Sequence, residues 1–204
     1  MADGYVCNNV ERGAYYLGIE LSSVDENHLE KFAECIGSDS RITRRTRILT
    51  GKNGENSVHS MSIIRIYSKY LVNSLSLYGV VPDKTHLIDS INIRDEFMWD
   101  FVRGYFDGDG SFSYSNIRSS NGTPHMYPRI GFVCYRKEFL LCIQRFLSKN
   151  NITSHINSDR HLWTLSIREG DSVRKFCNGI YHSEKSVRLL RKYEKYKNFF
   201  RKMQ

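Results

Sequence analysis

The feature that most constrains the fold is an approximate internal repeat. Residues 25–37 and residues 136–148 carry apolar side chains at matching helical intervals. An acid-glycine step also recurs, because Ala2-Asp3-Gly4 corresponds to Gly108-Asp109-Gly110 in a similar alignment. A repeat of this length, with loops that differ between its copies, indicates a chain built from two related halves.

Residue periodicity divides each half into strands and helices. Apolar and polar residues alternate at 14–22, which is typical of a half-buried strand, whereas 25–37 has helical spacing. Each half has the order strand-strand-helix-strand-strand-helix behind its acid-glycine step. We predict an α+β fold of two pseudo-symmetric αββαββα halves, each a saddle-shaped antiparallel sheet with helices on one face. The predicted strands are 14–22, 41–48, 61–67, 111–115, 127–135, 153–157 and 162–168, and the predicted helices are 25–37, 69–78, 97–109, 136–150, 171–181 and 186–202.

The repeat predicts two domains. The first covers residues 1–92 and lacks most of its leading helix, and the second covers residues 93–204 with a complete leading helix. The last predicted helix has an aromatic stripe, by which we expect it to dock on its own half. Its basic residues are predicted to form the outer face: Arg188, Arg191, Lys192, Lys195, Lys197 and Arg201.

Composition limits the possible partners and compartments. The net charge of +8 and pI near 9.3 favour a polyanion such as nucleic acid, although a merely basic protein remains open. The five cysteines include no C-x2-C pair, which argues against a zinc site or a disulfide scaffold. Neither a signal peptide nor a membrane-length apolar run is present. We therefore expect an intracellular protein, in cytoplasm or an organelle matrix, that is neither secreted nor membrane-bound.

The stretch FVRGYFDGDG at 101–110 places an acid at the end of a predicted helix. Asp109 there opposes the negative end of the helix dipole at a cost of a few tenths of a kcal/mol. Two such acids in a repeat could hold Mg²⁺ for phosphodiester hydrolysis. Gly104 and Gly108, four residues apart, would let a second helix approach closely. An ordinary helix that ends in Asp-Gly is the alternative.

This stretch resembles the signature helix of LAGLIDADG homing endonucleases, with residues 102–110 in its nine positions. Residues 1–4 resemble the last four positions of a first copy. The resemblance implies that Asp109 and Asp3 are catalytic metal ligands, with Gly108 and Ala2 also at the metal site, and that the cofactor is Mg²⁺ or Mn²⁺. It further implies cleavage of long, specific sites in double-stranded DNA with short 3′ overhangs, by an intron-encoded or free-standing mobile element.

The first motif helix is almost absent from the sequence. Three explanations are open: a misassigned start codon, a decayed or fragmented reading frame, or a partner chain that supplies the helix. The resemblance implies a monomer if the helix is restored and otherwise leaves room for a partner chain. Cleavage by the chain as given depends on which explanation holds.

Polar residues at alternate strand positions predict a DNA-binding face, since a two-stranded ribbon of such residues fits the major groove. A solvated sheet face is the alternative. Lys84 and Lys185 recur at equivalent positions, each before a hydroxyl residue, and are candidates for phosphate contact or simply exposed helix-end lysines. The predicted face comprises Arg41, Thr43, Arg45, Arg47, Arg129, His155, Asn157, Thr164, Ser166 and Arg168, lined by Ser111, Ser113 and Ser115. Tyr16 and Glu20, at alternate positions of the strand at 14–22, are further candidates with a weak signal.

These observations predict a site-specific DNA endonuclease of the homing type. Two alternatives stay open at this point. One is a DNA- or RNA-binding protein that does not cleave, such as a maturase or regulator on the same scaffold. The other is an inactive, truncated reading frame.

Overall fold

The computed structural model describes residues 4–51, 53–82, 93–118 and 124–203. The chain divides into two compact units. The described residues up to Pro82 form unit 1, and those from Ile93 onward belong to unit 2. The domain boundary predicted at 92–93 borders a stretch outside the described residues and stays a prediction.

Unit 1 is a four-stranded antiparallel sheet with two helices. Its strand order is β1-β2-β4-β3, so the fourth strand lies between the second and the third. Its elements are β1 Gly4–Asn9, β2 Ala14–Ser22, α1 Glu26–Cys35, β3 Ile42–Thr50, β4 Asn56–Tyr67 and α2 Lys69–Ser76.

Unit 2 repeats this arrangement between two additional helices, one before it and one after it. Its strand order, β5-β6-β8-β7, is the same as that of unit 1. Its elements are α3 Met98–Asp109, β5 Ser111–Arg118, β6 Pro124–Cys134, α4 Lys137–Lys149, β7 His155–Asp159, β8 Leu162–Ile167, α5 Gly170–Ile180 and α6 Leu190–Lys202.

Alternation within the strands creates the core of unit 1. Ile19 of β2 lies opposite Ile64 of β4, which in turn lies opposite Ile42 of β3. All three side chains pack in one cluster with Leu29 of α1, and Ile64 and Leu29 are fully buried. Since successive strand residues point to opposite faces, the other face of this sheet points away from the helices.

Aromatic rings dominate the core of unit 2, where they join α3 to the sheet. Tyr105 of α3 stacks on Phe132 of β6, with ring centroids 5.5 Å apart and an angle of 6° between the planes. Phe106 makes edge contacts with Phe132 and with Phe176 of α5. The leading helix is thereby fixed from two sides within its own unit.

The predicted fold class is confirmed. Strand β1, Gly4–Asn9, was not predicted, and the other differences lie at element ends. Strand β8 ends at Ile167, so Arg168 follows the strand instead of belonging to it. The last helix begins at Leu190, four residues later than predicted, because a turn closed by the Ser186 amide and the Ser183 carbonyl precedes it. No helix in the described ranges is long and apolar enough to cross a membrane.

Candidate functional site

The last turn of α3 separates its two acids. Asp107 is 4% exposed, whereas Asp109 is exposed at the end of the helix. The next residue, Gly110, donates its amide to the Phe106 carbonyl at 3.0 Å. A Cβ on Gly110 would meet the Phe106 backbone at 2.7 Å, so only glycine fits this close turn. The motif therefore buries its first acid and presents its second.

Asp107 joins α3 to the beginning of the last helix. One carboxylate oxygen accepts a hydrogen bond from the Tyr181 hydroxyl at 3.3 Å, and the other accepts from the Leu189 amide at 3.0 Å. Burial, followed by the nearby Asp107 charge, raises the pKa of Tyr181 far above its ordinary value, so the phenol stays a donor. Asp107 consequently has a structural role.

A buried lysine closes the same helix end. The Lys192 ammonium donates to the carbonyls of Phe106 and Asp107 at 2.7 Å, Gly110 at 2.6 Å and Gly108 at 3.2 Å. The Phe106 carbonyl also accepts from the Gly110 amide, whereas the Asp107 and Gly108 carbonyls are among those that a helix C-terminus leaves without intrahelical partners. A cation there also offsets the negative end of the helix dipole. Lys192 thus fixes the backbone that carries Asp109.

The prediction that Lys192 lies on the outer basic face is wrong, since the residue is 8% exposed. The spacing of Lys192 in the sequence could have indicated that it is buried. Lys192 lies three residues after Leu189 and four before Tyr196, which places it on the apolar stripe of α6. What the sequence could not show is the carbonyl cluster, which comes from a helix more than eighty residues earlier.

The residues at this helix end fit one part of a magnesium site. Mg²⁺ prefers oxygen ligands and usually keeps several waters, with one or two carboxylates and substrate phosphates. Asp109 supplies an exposed carboxylate, and Gly108 is half-buried beside it. In the described ranges no group of three or more His, Cys, Asp or Glu side chains could hold a metal. The predicted ligands Asp3 and Ala2 lie outside the described residues.

The predicted glycine contact is uncovered within unit 2. Gly104 is exposed, and a Cβ built there would meet nothing within 4 Å. Gly108 is half-buried. The role of these glycines in contacting a second helix stays a prediction.

The open face of unit 1, which points away from its helices, carries the predicted arginine row. Thr43, Arg45 and Arg47 occupy alternate positions of β3, and Arg41 precedes that strand. Arg45 and Arg47 both pair with Glu20 of β2. The structure therefore brings the predicted row together on one face and adds an acid that the sequence indicated only weakly.

Arg44, the remaining arginine of β3, lies on the helix-side face of the same sheet. Arg44 forms a two-point ion pair with Glu26 of α1, with Nε to Oε2 at 2.7 Å, and Ser62 donates to the same carboxylate at 2.6 Å. The Arg44 guanidinium, followed by the Ser62 hydroxyl, lowers the pKa of Glu26 to about 2. Arg44 thus joins β3 to α1.

An aromatic cluster also lies on the open face of unit 1. Tyr16 contacts Tyr5 and Tyr67, with ring centroids 6.0 and 5.2 Å apart, and Arg65 lies 5.8 Å from the Tyr16 ring centre. The Tyr5 ring covers Gly18, where a Cβ would clash at 2.4 Å. Sequence reasoning placed Tyr16 on this face only weakly and missed the cluster.

The open face of unit 2 carries mainly small polar residues. Strand register places Ser111, Gly131, Ser166 and His155 in one row across the four strands. The next row contains Thr164 and Asn157, and Arg129 lies opposite Ser113. Ser166 is fully buried in its row.

The remaining predicted contacts lie at element ends. Lys185 is exposed in the turn before α6, and Arg168 is exposed just after β8. Lys84 lies outside the described residues. Direct DNA contact by any residue of the predicted face stays a prediction.

A family model described as the LAGLIDADG-like domain matches residues 96–181. This range contains α3, α4, α5 and both strand pairs of unit 2. No curated protein matches the chain significantly.

The similarity to solved structures covers both units. LAGLIDADG meganuclease I-CpaMI bound to uncleaved DNA is 14% identical, with a TM-score of 0.60 over 98% of this chain and 86% of that one. The homing endonuclease I-WcaI bound to its DNA recognition sequence is 11% identical, with a TM-score of 0.60 over 94% and 80%. LAGLIDADG meganuclease I-AabMI bound to uncleaved DNA is 13% identical, with a TM-score of 0.56 over 90% and 80%.

Both units therefore have the fold seen in these LAGLIDADG structures. Residues 96–181 match the LAGLIDADG-like domain, and the resemblance inferred from the motif is confirmed. At these identities the solved structures define the fold, and the activity of this chain is a separate question.

Proposed function

We propose that the chain is a site-specific double-stranded DNA endonuclease of the homing type, which hydrolyses phosphodiester bonds with Mg²⁺ or Mn²⁺. The observation that carries this proposal is the end of α3. There Asp109 is exposed, while the buried Asp107 and Lys192 fix the surrounding turn through hydrogen bonds. A turn fixed in this way can present one carboxylate in a constant position.

Asp109 would hold the metal, with the Gly108 carbonyl beside it and DNA phosphate and water as the other ligands. The metal would supply charge stabilisation and an activated water. Asp3, with Ala2, is proposed as the corresponding ligand of the first motif. Lys192 acts as a positioning residue, because its ammonium holds the Phe106, Asp107 and Gly110 carbonyls.

The two open sheet faces would bind the duplex. Arg45 and Arg47 of unit 1 and Arg129 of unit 2 have the side chains that read guanine in the major groove, and Asn157 can read adenine. Lys185 and Lys84 are proposed to contact phosphates. Such an enzyme would act inside the cell, in cytoplasm or an organelle matrix, and would be encoded by a mobile element, in an intron or free-standing.

The proposal can be tested without a known target site. Purified chain is incubated with a plasmid library of random inserts, and the newly formed ends are sequenced, with Mg²⁺, with Mn²⁺ and with a chelator. The proposal predicts one consensus among the cut inserts in the presence of either metal and none with the chelator. Cutting with no consensus would contradict site specificity.

Matched variants separate chemistry from binding. Asp109→Asn should retain duplex binding and abolish the cut ends, whereas Lys195→Met, an exposed change on α6, should leave both unchanged. Binding of one sequence without any cutting by the wild-type chain would instead support a maturase or regulator. Absence of both would support an inactive frame.

A further inference from the structure

One acid lies within the arginine row of unit 1. Glu20 accepts from Arg45 Nε at 3.0 Å and from Arg45 Nη2 at 2.5 Å, and from Arg47 Nη2 at 3.2 Å. The Glu20 side chain is 13% exposed, whereas those of Arg45 and Arg47 are 44% and 46% exposed. One carboxylate therefore holds two guanidinium groups at the surface of the predicted DNA face.

These ion pairs span a strand. Glu20 lies on β2 and the arginines on β3, and β4 lies between them. The register places Ile63 of β4 between Glu20 and Thr43, on the face opposite the helix-packed Ile64. Ile63 is nevertheless only 4% exposed. The Glu20 pairs therefore cross β4 on the sheet face that Ile63 also occupies.

The arrangement has consequences for nucleic-acid binding. Phosphate contacts supply affinity without sequence information, whereas contacts to base edges supply specificity. A guanidinium paired with a carboxylate has fewer N–H groups left for a phosphate, and the carboxylate offsets part of its positive charge. The Glu20 charge also repels the backbone of any duplex that lies against this face. Both effects weaken binding that depends on phosphate contacts alone.

The same carboxylate directs the arginines. Forked pairing restrains the Arg45 side chain, and its remaining N–H groups can then donate away from the sheet to a base edge. Little further side-chain entropy is lost when a base with suitable acceptors meets a guanidinium restrained in this way. Glu20 therefore disfavours random DNA and prepares the two arginines for one arrangement of acceptors.

We infer that Glu20 is a specificity-determining residue, which suppresses non-specific DNA binding by holding Arg45 and Arg47 on the open face of unit 1. This inference rests on the proposed DNA-binding function. Discrimination between partners often needs such a repulsive element beside the attractive contacts.

The test compares Glu20→Gln with Glu34→Gln, which makes the same charge change on the exposed side of α1. The probe is a random-sequence duplex, titrated over a range of KCl concentrations. Glu20→Gln should bind the random duplex about tenfold more tightly, because two arginines are released to contact phosphates. The slope of log affinity against log salt concentration should steepen by about one to two units, which corresponds to one to two added phosphate contacts. Glu34→Gln should differ from wild type by less than about twofold.

A second measurement needs no DNA. In nitrogen-15 spectra, the Arg45 Nε–H should be protected from solvent exchange in the wild type and unprotected in Glu20→Gln. An unprotected Arg45 Nε–H in the wild type would overturn the inference without touching the proposed function. Equal duplex affinities for Glu20→Gln and Glu34→Gln would also overturn it alone. If the wild-type chain binds no duplex at all, the proposed function fails, and the inference fails with it.

Discussion

The two sheets share one topology but expose different chemistry on their open faces. In unit 1, Arg45 and Arg47 pair with Glu20, and tyrosine rings continue the same face. In unit 2, the corresponding face carries Ser111, Ser113 and Thr164. The strand order is the same in both.

The difference shows which positions define the fold. The helix-side positions of both sheets are mainly apolar and supply most of the buried core, and their pattern sets the register. The open positions contribute little to that core, so they could diverge without loss of topology. We expect unit 1 to contribute long-range, salt-dependent attraction to DNA and unit 2 to contribute short hydrogen bonds at close range.

The largest expected effect concerns Lys192. Lys192→Met leaves several buried carbonyls without their ammonium partner, which should lower the stability of unit 2 by about 3 kcal/mol or more. Both tryptophans, Trp99 and Trp163, belong to unit 2, so their fluorescence during urea unfolding reports on that unit selectively. Lys195→Met on the same helix is the exposed control. Equal midpoints for the two variants would show that the helix end needs no cation.

The next effect sharpens the contrast between the faces. In the Glu20→Gln background, where both side chains are released, Arg45→Ala combined with Arg47→Ala should weaken random-duplex binding about thirtyfold at low salt and reduce the salt slope by about two. Ser113→Ala combined with Thr164→Ala should change the slope by well under one, because hydroxyl groups release no counterions. Similar salt slopes for the two double variants would contradict the proposal that unit 1 supplies the salt-dependent attraction and unit 2 the short hydrogen bonds.

A smaller effect separates the two acids of α3. Asp107→Asn keeps the shape of the side chain but weakens its contacts with Tyr181 and the Leu189 amide, so unit 2 should lose about 2 kcal/mol. Asp109→Asn, at the exposed position, should change stability by less than about 0.5 kcal/mol. Chemical unfolding followed by tryptophan fluorescence distinguishes them, and a reversed order would contradict the assigned roles.

The smallest effect is a pH dependence confined to unit 1. Because the pKa of Glu26 falls from an ordinary 4.5 to about 2 on folding, its ion pair with Arg44 stabilises unit 1 above pH 4.5. That contribution is lost as the pH falls from 4.5 towards 2. Amide exchange in β3 should therefore accelerate over this window in the wild type. Glu26→Gln should show a flatter profile, and an unchanged profile would rule out this pair as the cause.

Sequence reasoning could predict the features that depend on local spacing. Alternation in β3 placed Arg45 and Arg47 on one face, and the helical pattern and terminal glycine located the end of α3. These patterns are strong because burial on one side constrains every second or every third to fourth residue. The LAGLIDADG motif also distinguishes Asp109 from Asp107, because the two acids occupy different positions of its signature.

Features that depend on distant contacts could not be predicted in the same way. Lys192 has a basic side chain like its neighbours on α6, and only the approach of α3 turns it into a buried cap. The Glu20 pairs cross β4, so they depend on a strand order that puts β4 between β2 and β3. The predicted strand at 162–168 correctly contained Thr164 and Ser166, but it extended one residue too far and included Arg168.

The proposed role of Asp109 is to hold the catalytic metal on a turn that Lys192 and Asp107 fix in place. Its most direct test is the single-turnover cleavage rate in Mg²⁺ on the duplex recovered from the library, with Asp109→Asn compared at matched occupancy. We expect the rate to fall by at least about a thousandfold, or about 4 kcal/mol of barrier, with duplex affinity and unfolding midpoint unchanged. A rate within tenfold of wild type would contradict it.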